Sequence, residues 1–500
     1  MHAFLAAVLS GVLLTLSFPP FGHPGVAWVA LVPLMVVLHG TRSRARAFGL
    51  ALTAGVLHFG GTLPWLTDVM VEYGGLARPL GIVINGLLVA YLALFPAVFG
   101  LILVAFRGIL GSWMLLAAAP IWLSTELGRV WLLGGFPWEL LGYSQTAVLP
   151  VAQIASLFGV HGVTLLVVFI NGVLAFALVQ GGRRRTSVLT AGALVLAVVL
   201  GFGGLRLSAS RLVETGEPLR VGLIQGNVAQ EEKWDRGRRQ AILSRYLELT
   251  RESASNGARF VVWPESATPF AFEDHPDGAL VRQVARETGI HLLFGSTRFH
   301  RGETPPRLYN AAYALGPQGD TVGVYHKMHL VPFGEYVPLR SLLFFASPLV
   351  EAVTHFSPGT EATPLAIGTH LMSAAICYEI IYPALSRAFV RQGSELLTTI
   401  TNDAWYGRSG APHQHFQQAR MRAIEQGRYL VRAANTGISG VVDPYGRVLA
   451  RTALFEPAAV TMDVRLLTDL TWYARIGDLP AYLCLTLTVV GLWLTRRRAN

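Results

Sequence analysis

The sequence predicts a membrane protein with eight transmembrane helices and an α/β domain inserted ahead of the last helix. The first observation is composition: 52% of the 500 residues are hydrophobic and only 14% are charged, whereas soluble proteins carry about 25% charged residues. The second observation is the uneven placement of the charge. Long apolar runs fill residues 1 to about 207 and return at 476–495, while the stretch between them has ordinary globular character. We therefore expect a helical bundle and a separate globular domain.

The membrane spans are predicted from the apolar runs, since a bilayer core of about 30 Å needs about 20 apolar helical residues to cross it. The first two runs can form a tight helical hairpin, and the sixth can be broken at Gly159 or Gly162. The eight runs lie at roughly 3–19, 24–40, 47–65, 80–106, 110–132, 150–179, 187–207 and 476–495. The predicted parts are residues 1–210 with helices one to seven, 218–465 as the globular domain, and 476–495 as helix eight.

Arginine clusters predict which side of the membrane each loop occupies. With eight spans and a cytoplasmic N-terminus, all four clusters fall on the cytoplasmic side, as the positive-inside rule requires. The globular domain then lies outside the cytoplasm. The formal net charge of +10 could also indicate nucleic-acid binding, but clusters beside membrane spans argue against a nucleic-acid partner. The clusters are Arg42, Arg44 and Arg46; Arg107; Arg183, Arg184 and Arg185; and Arg496, Arg497 and Arg498.

The globular stretch alternates between short β-rich runs and amphipathic helical runs. This alternation predicts an α/β domain in which strands are buried between helices. Predicted strands lie at 219–225, 259–263, 291–299, 372–377 and 396–401, and predicted helices at 235–255, 277–288 and 413–433. Neither a phosphate-binding glycine-rich loop nor a dinucleotide-binding fingerprint is present in the sequence.

Three reactive side chains each follow a predicted strand: Glu265, Lys327 and Cys377. Functional groups tend to collect at the carboxyl ends of strands in α/β sheets. A carboxylate could take the proton of a thiol, the thiolate could attack a carbonyl, and an ammonium could stabilise the oxyanion. Taken singly, each residue also suits a structural role, the cysteine as a core residue and the two charged residues as surface groups.

The segments "VVWPES", "YHKMHLVPFGEYVP", "AAICYEIIYP" and "TNDAWYG" occur in this order along the chain. They resemble the motifs of the carbon–nitrogen hydrolase (nitrilase) superfamily. Membrane spans on both sides, together with "GGFPWELLGYSQ" at 134–145, narrow the resemblance to the bacterial apolipoprotein N-acyltransferase family. The resemblance covers essentially the whole chain. It implies a nitrilase-like αββα sandwich with a Glu-Lys-Cys triad, inserted in the eight-helix transmembrane bundle.

Each site residue is carried over from the motif that it matches. Glu265 resembles the family's general base, Lys327 its oxyanion-stabilising lysine, and Cys377 its nucleophile. The resemblance also marks supporting and substrate-binding positions: Glu335 beside the lysine, Tyr378 and Glu379 after the nucleophile, and Trp234 and Trp405 as aromatic residues at the substrate access. Simple core packing is the alternative for the two tryptophans.

The resemblance implies an acyltransferase that works through a thioester on Cys377. Its acyl donor is a membrane phospholipid, and its acceptor is the α-amine of a diacylglyceryl-modified N-terminal cysteine of an apolipoprotein. The lipid bilayer is therefore a partner, while no nucleic acid, metal or other cofactor is expected. The implied location is the bacterial inner membrane, with several spans and the catalytic domain on the periplasmic side.

Several alternatives stay open from the sequence. A membrane-tethered amidase that passes the acyl group to water would carry the same triad, and a catalytically silent lipid-binding protein is a third class. The apolar run 339–356 can be an arm that dips into the membrane and gates lipid access, or a helix packed on the domain. Glu126 and Arg129 can pair within their helix, or extend separately towards the membrane surface.

Overall fold

The computed structural model describes residues 1–302, 307–332, 334–336 and 356–499. The apolar run 339–356, for which a membrane-dipping arm is predicted, lies almost wholly outside the described residues.

The N-terminal region and the chain's C-terminal end are helical and apolar. A short 3₁₀ turn, Val26–Trp28, precedes the second helix. The helices are α1 (His2–Leu16), α2 (Val32–Gly40), α3 (Arg44–Thr62), α4 (Trp65–Glu72), α5 (Arg78–Leu110), α6 (Met114–Trp131), α7 (Leu149–Ala152), α8 (Ala155–Val179) and α9 (Gly182–Ala209), and, after the globular domain, α14 (Trp472–Ile476) and α15 (Leu479–Ala499).

Not all of these helices are long and apolar enough to cross a membrane. Within the described ranges four stretches are: Arg78–Gly134, Ala155–Val179, Gly182–Val213 and Leu479–Arg497. The bent pair α3–α4, which turns by 52°, makes a fifth if it counts as one span. The predicted count of eight is therefore not confirmed. Hydropathy indicates how readily a segment enters a membrane, but it does not show whether the segment forms one continuous helix. In the structure the predicted second span is a 3₁₀ turn followed by the nine residues of α2.

The globular domain contains two large sheets. Its strands are β1 (Glu217–Gln225), β2 (Phe260–Val262), β3 (His291–His300), β4 (Arg307–Leu315), β5 (Thr321–His326), β6 (Leu365–Ile367), β7 (His370–Met372), β8 (Ala375–Ile376), β9 (Leu397–Thr401), β10 (Leu430–Ala434), β11 (Gly440–Val442), β12 (Val448–Arg451) and β13 (Ala458–Leu466). The strand orders are β13-β1-β2-β3-β4-β5 and β12-β11-β10-β9-β8, and β6 and β7 form a separate hairpin. Each large sheet has a parallel centre, β1-β2-β3 in one and β8-β9-β10 in the other.

Helices cover the sheets in the way that an α/β domain requires. The domain's helices are α10 (Arg239–Ser255), α11 (Gly278–Thr288), α12 (Pro383–Arg391) and α13 (Ala411–Gln426). One apolar core joins the first sheet to α10 and α11. A second core lies between the two sheets and extends to α12 and α13. The predicted α/β character of the domain is confirmed.

One predicted helix is wrong in length. The sequence predicts a helix over 413–433, but α13 ends at Gln426 because Gly427 adopts a left-handed conformation with φ +62°. Glycine reaches this region without the steric cost that a Cβ imposes. The chain then enters β10 at Leu430, and this strand pairs in parallel with β9.

Helix α13 joins the globular domain to the helical bundle through Gln414. The side-chain oxygen of Gln414 accepts hydrogen bonds from the indole N–H groups of Trp65 (3.2 Å) and Trp138 (2.8 Å). Its amide N–H₂ donates to the carbonyl oxygens of Pro19 (2.8 Å) and Thr62 (2.9 Å). One buried side chain thus connects three separate loops of the bundle to the domain, and the core between the sheets continues into bundle residues.

Candidate active site

Glu265, Lys327 and Cys377 lie together because each follows a strand of the two facing sheets. Glu265 comes after β2, Lys327 directly follows β5, and Cys377 directly follows β8. All three are buried, with exposed fractions of 6%, 1% and 5%. Glu265 and Lys327 both interact electrostatically with the thiol of Cys377. The site therefore brings a carboxylate, an ammonium and a thiol into one buried space.

A hydrogen-bonded network holds the two charged groups in place. Lys327 Nζ lies 3.2 Å from Glu265 Oε1 and 2.9 Å from Glu335 Oε2. The amide of Asn310, in the middle of β4, donates to both carboxylates, at 2.7 Å to Glu265 and 2.6 Å to Glu335. The main-chain N–H of Asn402 donates to the other oxygen of Glu265 at 2.9 Å. Each buried carboxylate is thus paired and oriented, as buried charges require.

The environment sets which group carries the proton at rest. Burial raises the pKa of the Cys377 thiol, and the negative charge of Glu265 raises it further, so the sulfur is protonated at rest. Burial alone would raise the pKa of Glu265, but Lys327 and the Asn310 hydrogen bond outweigh burial and hold that pKa below its usual value. Burial would lower the pKa of Lys327, but Glu265 and Glu335 raise it above its usual value. A carboxylate base, a neutral thiol and a permanent cation are therefore ready for base-assisted thiol attack.

Cys377 occupies a sharp turn between β8 and the 3₁₀ helix Cys377–Ile381, with φ +52°. Such a conformation is unusual for a residue other than glycine and needs support from its surroundings. His415 Nε2 donates a hydrogen bond to the main-chain carbonyl of Cys377 at 3.1 Å. Asp403 lies 3.0 Å from His415 Nδ1 and 2.8 Å from Arg432 Nη2, and all three side chains are fully buried. Through this hydrogen bond, the three residues support the main chain of Cys377.

Glu379 connects the loop after Lys327 to the turn that contains Cys377. Its oxygens accept hydrogen bonds from the hydroxyl of Tyr325 (2.7 Å) and from the main-chain N–H groups of Met328 (2.6 Å), His329 (3.2 Å) and Ile376 (2.7 Å). Burial raises the pKa of Glu379 to about 7, while these donors pull it down. The carboxylate thus ties the two catalytic segments to each other and fixes their spacing.

The aromatic residues predicted from the motifs take different positions. Tyr378 is buried, and its ring lies 5.4 Å from that of Tyr382 and 6.5 Å from that of Phe136 in the bundle. Trp405 is 38% exposed and packs edge-on against Tyr73 at 5.0 Å, and Trp234 is 52% exposed. Neither tryptophan is a buried core residue. Both are available at the surface around the site.

Several residues of the site escaped the sequence analysis. Lys233 is 2% exposed and donates to the main-chain carbonyl of Glu265 at 3.2 Å. Its neighbour Trp234 is one of the positions that the resemblance marks, and Asp403 lies inside the "TNDAWYG" motif. Asn310 has no local signal, since only the pairing of β4 with β3 and β5 brings it to the carboxylates.

Glu126 and Arg129 in α6 are both buried, so neither extends to the membrane surface. Their closest charged atoms are 3.9 Å apart. Glu126 accepts from Trp122, Thr164 and the main chain of Leu141, and Arg129 donates to the carbonyls of Trp138 and Glu139. The two charges thus fix the loop between α6 and α7, whose Trp138 contacts Gln414 of the globular domain.

Within the described parts of the chain, no group of three His, Cys, Asp or Glu side chains is arranged to hold a metal ion.

Comparisons with known proteins cover both regions of the chain. Residues 220–468 match the carbon–nitrogen hydrolase family, and residues 10–173 match the apolipoprotein N-acyltransferase N-terminal domain. The apolipoprotein N-acyltransferase of Geobacter metallireducens is 40% identical over 503 residues, which cover 99% of this chain and 96% of the relative. That of Methylococcus capsulatus is 37% identical and covers 100% of this chain and 97% of the relative. Among solved structures, an amidase from Nesterenkonia sp. has a TM-score of 0.41 and 22% identity, over 54% of this chain and 98% of the amidase.

Proposed function

The chain belongs to the apolipoprotein N-acyltransferase family, and we propose that it moves an acyl chain from a membrane phospholipid to the α-amine of an apolipoprotein's N-terminal diacylglyceryl-cysteine. The observation that carries the proposal is the buried assembly of Glu265, Lys327 and Cys377. The core that contains Cys377 also includes bundle residues such as Leu63 and Trp138. Cys377 therefore belongs to a core that the domain shares with the bundle, and a nucleophile at such a junction would suit lipid-anchored substrates.

In the first half-reaction Glu265 takes the thiol proton of Cys377 while the sulfur attacks the ester carbonyl carbon. A carbon–sulfur bond forms, and the carbonyl π electrons move onto the oxygen. The ammonium of Lys327 stabilises this oxyanion. Collapse restores the carbonyl and breaks the ester carbon–oxygen bond, so a lysophospholipid leaves with the proton that Glu265 held. The acyl chain remains on Cys377 as a thioester.

In the second half-reaction the α-amine of the acceptor attacks the thioester. Glu265 takes a proton from the amine as the carbon–nitrogen bond forms, and the sulfur leaves as the thiol after receiving that proton. Water must be kept from the thioester, or the product would be a free fatty acid. Because the relatives that match the whole chain at 33–40% identity are apolipoprotein N-acyltransferases, the amidase alternative is not favoured.

We also propose eight membrane crossings, made by α1, residues 26–40, α3, α5, α6, α8, α9 and α15, with the bend after α3 at the far side of the membrane. With the N-terminus in the cytoplasm, every arginine cluster then lies on the cytoplasmic side. The loop positions that bind Gln414, namely Pro19, Thr62, Trp65 and Trp138, fall on the opposite side. Their contacts with the domain support a periplasmic catalytic domain in the inner membrane.

The proposal is tested by trapping the acyl-enzyme. The purified protein in detergent is incubated with a phospholipid that carries a labelled acyl chain, without acceptor, and the label is located by mass spectrometry. We expect a hydroxylamine-sensitive label on Cys377 that a diacylglyceryl peptide with a free amine discharges as an amide. The matched control is the second buried free cysteine, Cys484 in α15: Cys484→Ala keeps the label, and Cys377→Ala loses it.

Two outcomes would contradict the proposal. No label on a folded protein, across several phospholipids, would mean that the donor is wrong. A labelled Cys377 that releases only free acid, even with the peptide present, would assign the amidase activity instead.

A further inference from the structure

Only two of the chain's 40 lysine and arginine residues are lysines, namely Lys233 and Lys327. Both are buried in the active site, with exposed fractions of 2% and 1%. Arginine supplies every other basic side chain, at the membrane surface and in buried ion pairs alike. Lysine differs in being a compact ammonium with three N–H groups on a flexible stem. The chain therefore uses lysine only where a compact ammonium lies beside the thiol.

The two ammonium groups are held differently. Lys327 lies between two carboxylates, Glu265 and Glu335. Lys233 donates to the main-chain carbonyl of Glu265 at 3.2 Å, and no carboxylate among the described residues lies within 4.0 Å of its Nζ. Its charge nevertheless acts on Glu265 and on Cys377. Lys233 is thus a buried cation next to the reacting groups without an ion-pair partner.

The ammonium of Lys233 has more N–H donors than the described residues offer acceptors. An ammonium has three N–H groups, and one of them reaches the Glu265 carbonyl. The other two have no acceptor among the residues that the structure describes, and buried donors are costly unless an acceptor meets them. Cys377 is within electrostatic range, so an acceptor here belongs to a group that is bound at the thiol. An ester oxygen of the acyl donor is such an acceptor.

We propose that Lys233 binds the leaving alkoxy oxygen of the acyl-donor ester and stabilises the negative charge that this oxygen gains when the ester bond breaks. The proposal rests on the acyl transfer described above. Lys233 keeps its proton throughout: the electron pair of the broken carbon–oxygen bond goes to the alkoxy oxygen, and the proton that this oxygen finally holds is the former thiol proton, delivered by Glu265.

Two separate oxygens explain why the site holds two ammonium groups. The carbonyl oxygen is negative in the tetrahedral intermediate, and the alkoxy oxygen becomes negative as the intermediate collapses. Lys327 approaches the side-chain end of Glu265, while Lys233 approaches its main-chain end. They can therefore contact different atoms of one substrate.

The test compares two acyl donors with the same chain: a phospholipid, whose leaving alkoxide is strongly basic, and a p-nitrophenyl ester, whose leaving phenolate needs little stabilisation. The rate of Cys377 thioester formation is measured by mass spectrometry. Lys233→Met is expected to slow acylation by the phospholipid about 100-fold, the size expected for loss of one such donor, and by the nitrophenyl ester less than about 5-fold. Arg236→Met removes an exposed cation three residues away and should change neither rate.

A pH profile gives a second measurement that does not depend on Lys233→Met folding. Burial lowers the pKa of Lys233 to about 8, so the ammonium is lost as the pH rises through that value. Acylation of the wild type by the phospholipid should fall above about pH 8, while Lys233→Arg, which stays charged, should lack that fall.

Three results would overturn the inference. Equal losses with both esters would assign Lys233 to the carbonyl oxygen or to structure, and an unchanged rate in Lys233→Met would remove it from the reaction. If the acylation rate of Lys233→Arg also fell above about pH 8, as in the wild type, Lys233 would likewise have no part in the reaction. Failure of the proposed function looks different, because the wild type would then form no thioester with the phospholipid while still reacting with the nitrophenyl ester.

Discussion

Two buried charge clusters meet at Cys377, and they differ in what they contact. In the thiol-facing cluster, defined as Glu265, Lys327 and Glu335, the first two act on the sulfur and Glu335 holds Lys327. The carbonyl-binding cluster, defined as Asp403, His415 and Arg432, reaches the main-chain oxygen of the same residue through His415, and the charge of Asp403 also raises the pKa of the thiol. The first cluster lies around the sulfur of Cys377, and the second stabilises the main-chain turn that contains Cys377.

The two clusters also differ in the cation that each contains. Arg432 donates to Asp403, to His415 and to the carbonyl of Ile438 in a fixed planar arrangement. A guanidinium of this kind is permanently charged and suits a contact that never changes. The thiol-facing cluster instead uses Lys327, whose ammonium has a third N–H beyond the two that face Glu265 and Glu335, and that N–H can serve a substrate oxygen. A buried ion pair can therefore either take part in the reaction or stabilise the main chain that carries the reacting group. In this protein the first kind contains a lysine and the second an arginine.

The largest expected effect comes from removing the base of the thiol-facing cluster. Glu265→Gln keeps the shape of the side chain but can no longer take the thiol proton, so acylation of Cys377 should slow about 10³-fold. Glu335→Gln is the matched control, because Glu335 contacts Lys327 and not the thiol, and its effect should be smaller. Rates are read from thioester formation, and thermal unfolding in detergent should show both variants folded. Similar losses in the two variants would mean that Glu265 acts only by holding Lys327.

Breaking the carbonyl-binding cluster should instead cost stability. Arg432→Met leaves the fully buried Asp403 carboxylate without its cation, and such a change costs about 3–5 kcal/mol. The melting temperature in detergent measures this loss. The double variant Asp403→Asn with Arg432→Met removes the unpaired charge and should recover part of it. A stable Arg432→Met protein that forms no thioester would break the comparison, since the cluster would then belong to the chemistry.

The sequence analysis found the thiol-facing cluster more readily than the carbonyl-binding one, for a physical reason. Glu265, Lys327 and Cys377 each follow a strand and each lie in a motif that resembles the family, so the resemblance grouped them although β8 belongs to the other sheet. His415 lies on α13, and its role depends on how that helix packs behind β8, which no local pattern states. Asn310 depends in the same way on the pairing of β4.

The helices, too, could be predicted from the sequence only in part. Apolar runs located the bundle, because transfer into a membrane depends on composition. They did not reveal that the second run begins with a 3₁₀ turn or that α3 and α4 are separated by a 52° bend. The end of α13 was missed because the pattern of 413–433 stays compatible with a helix, and only Gly427 marks the change to β10.

A smaller effect is expected from the single hydrogen bond that joins the carbonyl-binding cluster to the nucleophile. His415→Ala removes the donor to the Cys377 carbonyl, so the turn with φ +52° loses support and acylation should slow about 10- to 100-fold, as misplacement of a reacting group does. His415→Gln offers an amide N–H at a similar distance and should restore most of the rate. Reactivity of Cys377 towards a small alkylating reagent separates positioning from substrate binding.

If His415→Gln were as slow as His415→Ala, while both variants kept the wild-type melting temperature, the ring would have a role beyond this hydrogen bond. In that case the division of the two clusters into chemistry and support would need revision.

The smallest expected effect is the change in folding stability at acid pH. Burial would raise the pKa of Asp403, but Arg432 and His415 hold it well below its ordinary value of 3.8. The folded protein therefore binds fewer protons than the unfolded chain as the pH falls through that value. The stability that Asp403 contributes is fully present above the unfolded pKa and is lost as the pH drops towards the folded one. Melting temperatures between pH 6 and pH 3 should thus fall more steeply for the wild type than for Asp403→Asn, which has no such proton to bind. If the melting temperatures of the two proteins fell in parallel, Arg432 and His415 would not be keeping Asp403 ionised.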